Sequence, residues 1–153
     1  MSPPLVIVGA GMAAAFLVAA IRANRPHASV APDRKIVLIG DEPVACYNRI
    51  LLSSALAERA ELGDLRMIEE GADLDLRTGS RVVQIDASTR QVFLESGECI
   101  AYGDLVLATG SSIAMPIQNV TSVDGVLGFR TIDDLRELQI RARTSKRAIV
   151  VGA

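Results

Sequence analysis

Residues 5–14 read Leu-Val-Ile-Val-Gly-Ala-Gly-Met-Ala-Ala, an apolar run that breaks into Gly-x-Gly-x-x-Ala and leads straight into an alanine-rich stretch. This order of strand, tight turn and helix constrains the fold more than any other feature of the chain. Gly9 permits a sharp turn, Gly11 lets the backbone approach a pyrophosphate with no Cβ in between, and Ala14 is small enough for the helix to pack close to the strand. The N–H groups and positive dipole end of a helix starting near Met12 would face the phosphates. A glycine pattern alone is weak evidence, because glycines also mark ordinary turns; its place between an apolar strand and a helix strengthens it. Residues 148–153, Ala-Ile-Val-Val-Gly-Ala, repeat the strand and the first glycine. The sequence thus holds one whole strand-glycine turn and the start of a second.

With 153 residues, 50% hydrophobic and 22% charged, the chain can bury a core and is not a disordered segment. A formal net charge of -2, with the charges scattered, gives no basic footprint for nucleic acid. Cys46 and Cys99 are far apart and fit neither a zinc-ligand spacing nor a C-x-x-C pair, so both are expected as free thiols in a reducing, cytoplasmic setting. The uncharged stretch 4–21 resembles a signal peptide or membrane helix only superficially. It has no basic residue before it, and the glycine turn cuts it into a short strand and a helix of about three turns, so no membrane association is expected.

The pattern predicts a strand over 6–8 and a helix over 12–24, with Phe16, Leu17, Ala20 and Ile21 at helical spacing. Arg25-Pro26 stops it. A second strand follows at 35–40, and these unalternating apolar runs predict a parallel sheet covered on both faces, with helices as the cover. Just past it stand Asp41 and Glu42, where a dinucleotide fold places a carboxylate against the ribose hydroxyls. Their distance from the glycine turn exceeds the usual ~20 residues, which we assign to a longer loop over 27–34; without the glycine turn, Asp41-Glu42-Pro43 would read as a polar turn. Residues 50–60 look helical, and 65–70 continue as a short helical stretch ended by Gly71. From Arg81 the period changes to two, through Val83 and Ile85, Val92 and Leu94, then Ile100 and Tyr102, giving a small antiparallel meander. A buried strand over 105–108 ends in Thr109-Gly110. Thr131 opens a capping-box-like start, with Asp134 in place of Glu, for a helix to about 143, and a last strand follows.

The isolated chemistry-bearing residues are explained more simply. His27, the only histidine, is expected in a solvent-facing loop. Asp133 and Asp134 suit helix capping better than a metal, and no metal site is expected. Met12, Met67 and Met115 read as packing residues.

Taken in order, the Gly-x-Gly-x-x-Ala turn, the carboxylate after the second strand, the meander and the strand ending in Ala-Thr-Gly resemble the FAD-binding domain of the pyridine nucleotide-disulfide oxidoreductase family. Asp41-Glu42-Pro43, followed by Tyr47-Asn48-Arg49-Ile50-Leu51-Leu52-Ser53, is most similar to the large subunit of NAD(P)H nitrite reductase, with rubredoxin and ferredoxin reductases as near relatives. Ser54 stands where rubredoxin-reductase relatives often carry a lysine, which favours the nitrite-reductase branch. The resemblance covers essentially the whole chain and implies a Rossmann-like α/β fold with a parallel sheet and a β-meander.

The resemblance also implies a set of contacts with FAD. The backbone around Gly9, Gly11, Met12 and Ala13, with Ala14 behind it, would hold the pyrophosphate, and Glu42 the adenosine ribose. Arg49 would reach the phosphates, the backbone of Val83 would face the adenine, and Thr109-Gly110 would close over the middle of the cofactor. Outside this set, Arg49 would read as a surface arginine and Val83 as core. Residues 1–116 would form the FAD-binding domain, and 117–153 a linker and the start of an NAD(P)-binding domain. The second glycine turn, which binds the nicotinamide cofactor in the family, starts where this sequence stops. No catalytic residue is therefore assigned, and NAD(P)H oxidation by this chain alone is not expected. Cys46 lies about three residues ahead of the redox cysteines of the disulfide reductases, and a packed thiol is the stronger reading.

The expected function is that of the FAD-binding portion of a flavin-dependent NAD(P)H oxidoreductase, passing electrons to an iron-sulfur acceptor. The alternatives are a non-catalytic module that binds an adenine dinucleotide or assembles as a homo-oligomer or with a partner subunit, and a fragment of a rubredoxin or ferredoxin reductase.

Overall fold

In the computed structural model, which describes residues 2–24, 34–44, 46–113 and 123–151, the opening apolar run forms β1 (Leu5–Val8) and the alanine-rich stretch forms α1 (Met12–Asn24). Then follow β2 (Ile36–Ile39), a 3-10 turn at Arg49–Leu51 leading into α2 (Leu52–Leu56), a second 3-10 turn at Leu62–Leu65, β3 (Leu74–Arg77), β4 (Val82–Asp86), β5 (Gln91–Leu94), β6 (Cys99–Ala101), β7 (Asp104–Leu107) and α3 (Ile132–Ala142). The expected loop over 27–34 lies outside the described residues apart from Arg34, and His27, Met115 and the 116/117 boundary lie outside them altogether.

The chain divides into two compact units, one formed by Met1–Asn48 with Arg66–Gly110 and the other by Arg49–Leu65 with Ser111–Ala153. In the first, a parallel sheet has the order β3-β2-β1-β7, and β4, β5 and β6 form a separate antiparallel sheet. β1 and β2 are apolar on both faces because both faces are covered. On one, Ala14, Ala15 and Val18 of α1 pack with Ile7, Ile36 and Leu38. On the other, Val6, Val8, Val37 and Ile39 meet Val92 and Leu94 of the antiparallel sheet. The α/β class and the meander are as expected, and the cover on this second face is the meander where a helix was expected.

Several local expectations are corrected. Of the four residues expected at helical spacing, Leu17 and Ile21 pack against the core with Ala14, Ala15 and Val18, whereas Phe16 and Ala20 lie off that face and are exposed. The helix expected over 50–60 is reduced to α2 and its leading 3-10 turn, and 65–70 holds the end of a 3-10 turn and an isolated bridge from Arg66 to Tyr47. β3 is an edge strand absent from the sequence reading. Only four residues long and carrying Asp75 and Arg77, it is held by β2 and by Arg77 reaching both Asp75 and Glu98. Charges of this kind suit an edge, where they discourage further pairing. The apolar run 148–151 forms no strand and is exposed, since no strand among the described residues pairs with it.

In the second unit, α3 starts with a complete capping box. Thr131 Oγ1 accepts from the Asp134 amide at 3.1 Å, and an Asp134 carboxylate oxygen accepts from the Thr131 amide at 2.7 Å. Asp thus substitutes for the more usual Glu. Thr131→Ala removes one of these acceptors and is expected to lower stability by about 1 kcal/mol, read from the urea midpoint. A loss below ~0.3 kcal/mol would show that the box contributes little to this unit.

Candidate dinucleotide-binding site

The sheet order places a ligand crevice in the first unit before any residue is considered. From β1 the chain proceeds to β2 and β3 on one side and later returns to add β7 on the other. In such sheets ligands bind outside the carboxyl ends of the strands, at the point where the order reverses. Here that point is between β1 and β7. The residues just past these strands are Gly9-Ala10-Gly11 and Ala108-Thr109-Gly110.

The two glycines of the first turn have different roles. Gly9 has φ +104°, and a Cβ built on it would stand 2.2 Å from the Ala108 carbonyl oxygen and 2.7 Å from the Thr109 nitrogen. Its freedom is required by the neighbouring strand, which passes too close for any side chain. The Gly9 amide donates to the Ile39 carbonyl at 2.8 Å, and the Ala108 amide donates to the Val8 carbonyl at 2.7 Å, so the turn is pinned on both sides. A Cβ on Gly11, in contrast, would meet no described atom within 4 Å. Internal packing does not require glycine there. The open space is what a pyrophosphate pressed against the backbone needs.

The Gly11 carbonyl accepts the first bond of α1, from the Ala15 amide at 3.1 Å. The amides of Met12, Ala13 and Ala14 precede that bond and belong to the turn whose donors have no partner within the helix. Ala14 is fully buried in the cluster with Ile7, the close helix–strand packing for which a small residue is needed. Met12 and Ala13 are more accessible.

The ends of β2 and β3 are fastened to the same edge. Gly40 donates to the Arg77 carbonyl, Gly79 to the Glu42 carbonyl and Ser80 to the Gly40 carbonyl, each at 2.8 Å. The structure distinguishes the two acidic residues after β2: Asp41 is exposed, whereas Glu42 is half-buried and its Oε2 accepts from the Tyr47 hydroxyl at 2.6 Å. Sequence reasoning used Tyr47 only as part of a motif and missed this bond. Nothing in a one-dimensional pattern shows that a tyrosine ring five residues on folds back.

β4 leaves this edge directly after Ser80. Val82 pairs with Leu94 and Gln84 with Phe93, so the ladder skips Val83, which sits at a register irregularity with its side chain exposed. It is not core. Bulges of this kind redirect the backbone and are frequent beside binding sites. Thr109 and Gly110 are exposed just past β7, Gly110 at φ +71°. The structure therefore brings Gly9, Gly11, Met12, Ala13, Ala14, Glu42, Thr109 and Gly110 to the carboxyl edge of one sheet, with Val83 three residues beyond Ser80. Arg49 belongs to the second unit, where its Nη1 donates to the Arg130 carbonyl at 2.9 Å.

Cys46 is completely buried and packs with Ile7, Leu38 and Ile68. Burial pushes its thiol up from the ordinary cysteine value, only partly opposed by a backbone hydrogen bond. The reactive form is the thiolate, so Cys46 is a packing residue. No group of three or more His, Cys, Asp or Glu among the described residues could hold a metal ion, and no helix among them is long and apolar enough to cross a membrane.

A strand-glycine-helix turn at the switch point of a parallel sheet, with a carboxylate past the next strand, defines an α/β domain of the dinucleotide-binding class. Residues 3–153 match the family model for pyridine nucleotide-disulphide oxidoreductases, and the chain belongs to that family of flavin-dependent pyridine nucleotide oxidoreductases. It is 36% identical over 97% of its length to the assimilatory nitrate reductase electron transfer subunit of Bacillus subtilis (strain 168), and 33% identical over 97% to the nitrite reductase [NAD(P)H] of the same organism. It covers 19% and 18% of those proteins, so it spans less than a fifth of their length. Among solved structures, the covalent putidaredoxin reductase-putidaredoxin complex matches with a TM-score of 0.77 and 27% identity, over 91% of this chain and 34% of that one. The NADH:rubredoxin oxidoreductase from Clostridium acetobutylicum gives 0.74 and 25%, over 94% and 36%.

Proposed function

We propose that this chain binds FAD along the carboxyl edge of the parallel sheet and forms the FAD-binding portion of a nitrite-reductase-like NAD(P)H oxidoreductase. The observation that carries this is the contrast within the glycine turn. Gly9 is occupied by the neighbouring strand, and Gly11 faces open space at the switch point. The backbone amides of Gly11, Met12 and Ala13 would hold the pyrophosphate, aided by the N-terminal dipole of α1. Glu42 would accept hydrogen bonds from the adenosine ribose, the backbone at Val83 would face the adenine, and Thr109-Gly110 would line the middle of the cofactor. FAD, when bound, supplies the means to take a hydride and release its electrons singly.

The larger activity takes electron transfer and NAD(P)H from the names of the relatives, and the iron-sulfur acceptor from the family resemblance. Electrons would pass from NAD(P)H to an iron-sulfur acceptor through a partner protein or further domain, in the cytoplasm. Residues 1–116 would be the FAD-binding domain and 117–153 the start of the nicotinamide side. The direct test is titration of the purified chain with FAD, followed by quenching of flavin fluorescence. Saturable uptake is expected, weakened by about ten- to a hundredfold in Glu42→Ala, since hydrogen bonds to a charged group contribute about 1.5–3 kcal/mol. A chain that takes up no FAD would refute the proposal.

A further inference from the structure

The Tyr47 ring is buried, with 4% of the residue accessible, and a buried tyrosine needs a partner for its hydroxyl. That partner is Glu42 Oε2 at 2.6 Å, a charge-assisted bond at the short end of the range. Both residues sit on fixed backbone. The Glu42 carbonyl accepts from the Gly79 amide at 2.8 Å, while Tyr47 forms an isolated bridge with Arg66 and its neighbour Cys46 accepts from the Met67 amide at 3.0 Å. The carboxylate is thus aimed by a side chain that is itself immobilised by packing. This is the support that a ligand-binding group needs if its geometry is to be set before the ligand arrives.

We infer that Tyr47 is a positioning residue for ribose recognition: it holds Glu42 in the orientation that accepts from the sugar hydroxyls of an adenine dinucleotide. The inference rests on the FAD-binding reading. A carboxylate has about four lone-pair sites, so the bond from Tyr47 does not compete with the ribose for the whole group. Removing it takes away a contact that orients Glu42, and affinity would fall by the cost of restoring that orientation during binding.

The test uses the full chain with ADP and with 2′,3′-dideoxy-ADP, which lacks both ribose hydroxyls, alongside FAD. Tyr47→Phe is expected to weaken FAD and ADP by about fivefold and to leave dideoxy-ADP unchanged. A purely structural role would weaken all three alike. In the Glu42→Ala background, adding Tyr47→Phe should cost no further affinity, because its route to the ligand is gone. Tyr47→Met, which also cannot donate, carries the same expectation if the phenylalanine variant does not fold. If Tyr47→Phe keeps the wild-type preference for ADP over its dideoxy analogue while Glu42→Ala loses it, Glu42 reads the ribose unaided and the inference is wrong. An equal loss from Tyr47→Phe with and without Glu42 overturns it as well. A wild-type chain that binds neither FAD nor ADP removes the cofactor reading itself, and this inference with it.

Discussion

Gly9→Ala is expected to destabilise the first unit by about 4 kcal/mol, combining a strained backbone with overpacking against the adjacent strand. The φ of +104° is one that a residue with a Cβ rarely adopts. The added carbon would stand 2.2 Å from the Ala108 carbonyl oxygen and 2.4 Å from its carbon, and both are backbone atoms that cannot rotate away. Relief requires β1 and β7 to separate, yet the Ala108 amide bonds the Val8 carbonyl at this very place. Since a whole domain is stable by only about 5–15 kcal/mol, much of the folded population is at risk. Urea unfolding followed by circular dichroism measures the loss. A change below ~1 kcal/mol would mean that the end of β7 is not seated on this turn.

Gly11→Asp is expected to do the opposite: the fold survives and the ligand is lost. No described atom lies within 4 Å of the new Cβ, and the backbone at Gly11 is not in the left-handed region. Because the Gly11 carbonyl accepts the first bond of α1, the residue holds the N-cap position, where aspartate is preferred and its charge is favourable at the helix end. Stability should stay within about 0.5 kcal/mol of wild type or rise slightly. A carboxylate there would fill the open space in which we propose that the pyrophosphate binds, and would repel it. FAD affinity is expected to fall by about a hundredfold, equal to about 2.7 kcal/mol. Wild-type affinity in a well-folded Gly11→Asp chain would place the pyrophosphate somewhere else.

These variants mark how much of the site was legible in the residues. The turn, α1 and the meander were readable because each depends on contacts between neighbours in sequence: apolar spacing, small residues at a close approach, polar turns between alternating strands. A carboxylate at Asp41 or Glu42 was readable from its place after the second strand, and the family resemblance pointed to Glu42. Which of them is held required the Tyr47 ring to fold back, as the 2.6 Å bond to Glu42 shows. β3 was not legible, since Leu74–Arg77 carries two charges in four residues and becomes a strand only when β2 offers its edge. The run 148–151 shows the converse. It has the composition of a buried strand and is exposed among the described residues, because hydrogen-bonded neighbours are needed as well as apolar residues.

The sequence by itself determined that a strand would enter a glycine turn and continue as a helix, because φ freedom, side-chain size and helical spacing are properties of consecutive residues. It also told the two glycines apart, Gly9 for the sharp turn and Gly11 for a close approach to the backbone, without showing what stands opposite either one. Only the tertiary structure decided that a Cβ on Gly9 would collide with backbone while one on Gly11 would not. The difference lies in what stands opposite each one: the end of β7, about a hundred residues away in the chain, for Gly9, and no described atom for Gly11.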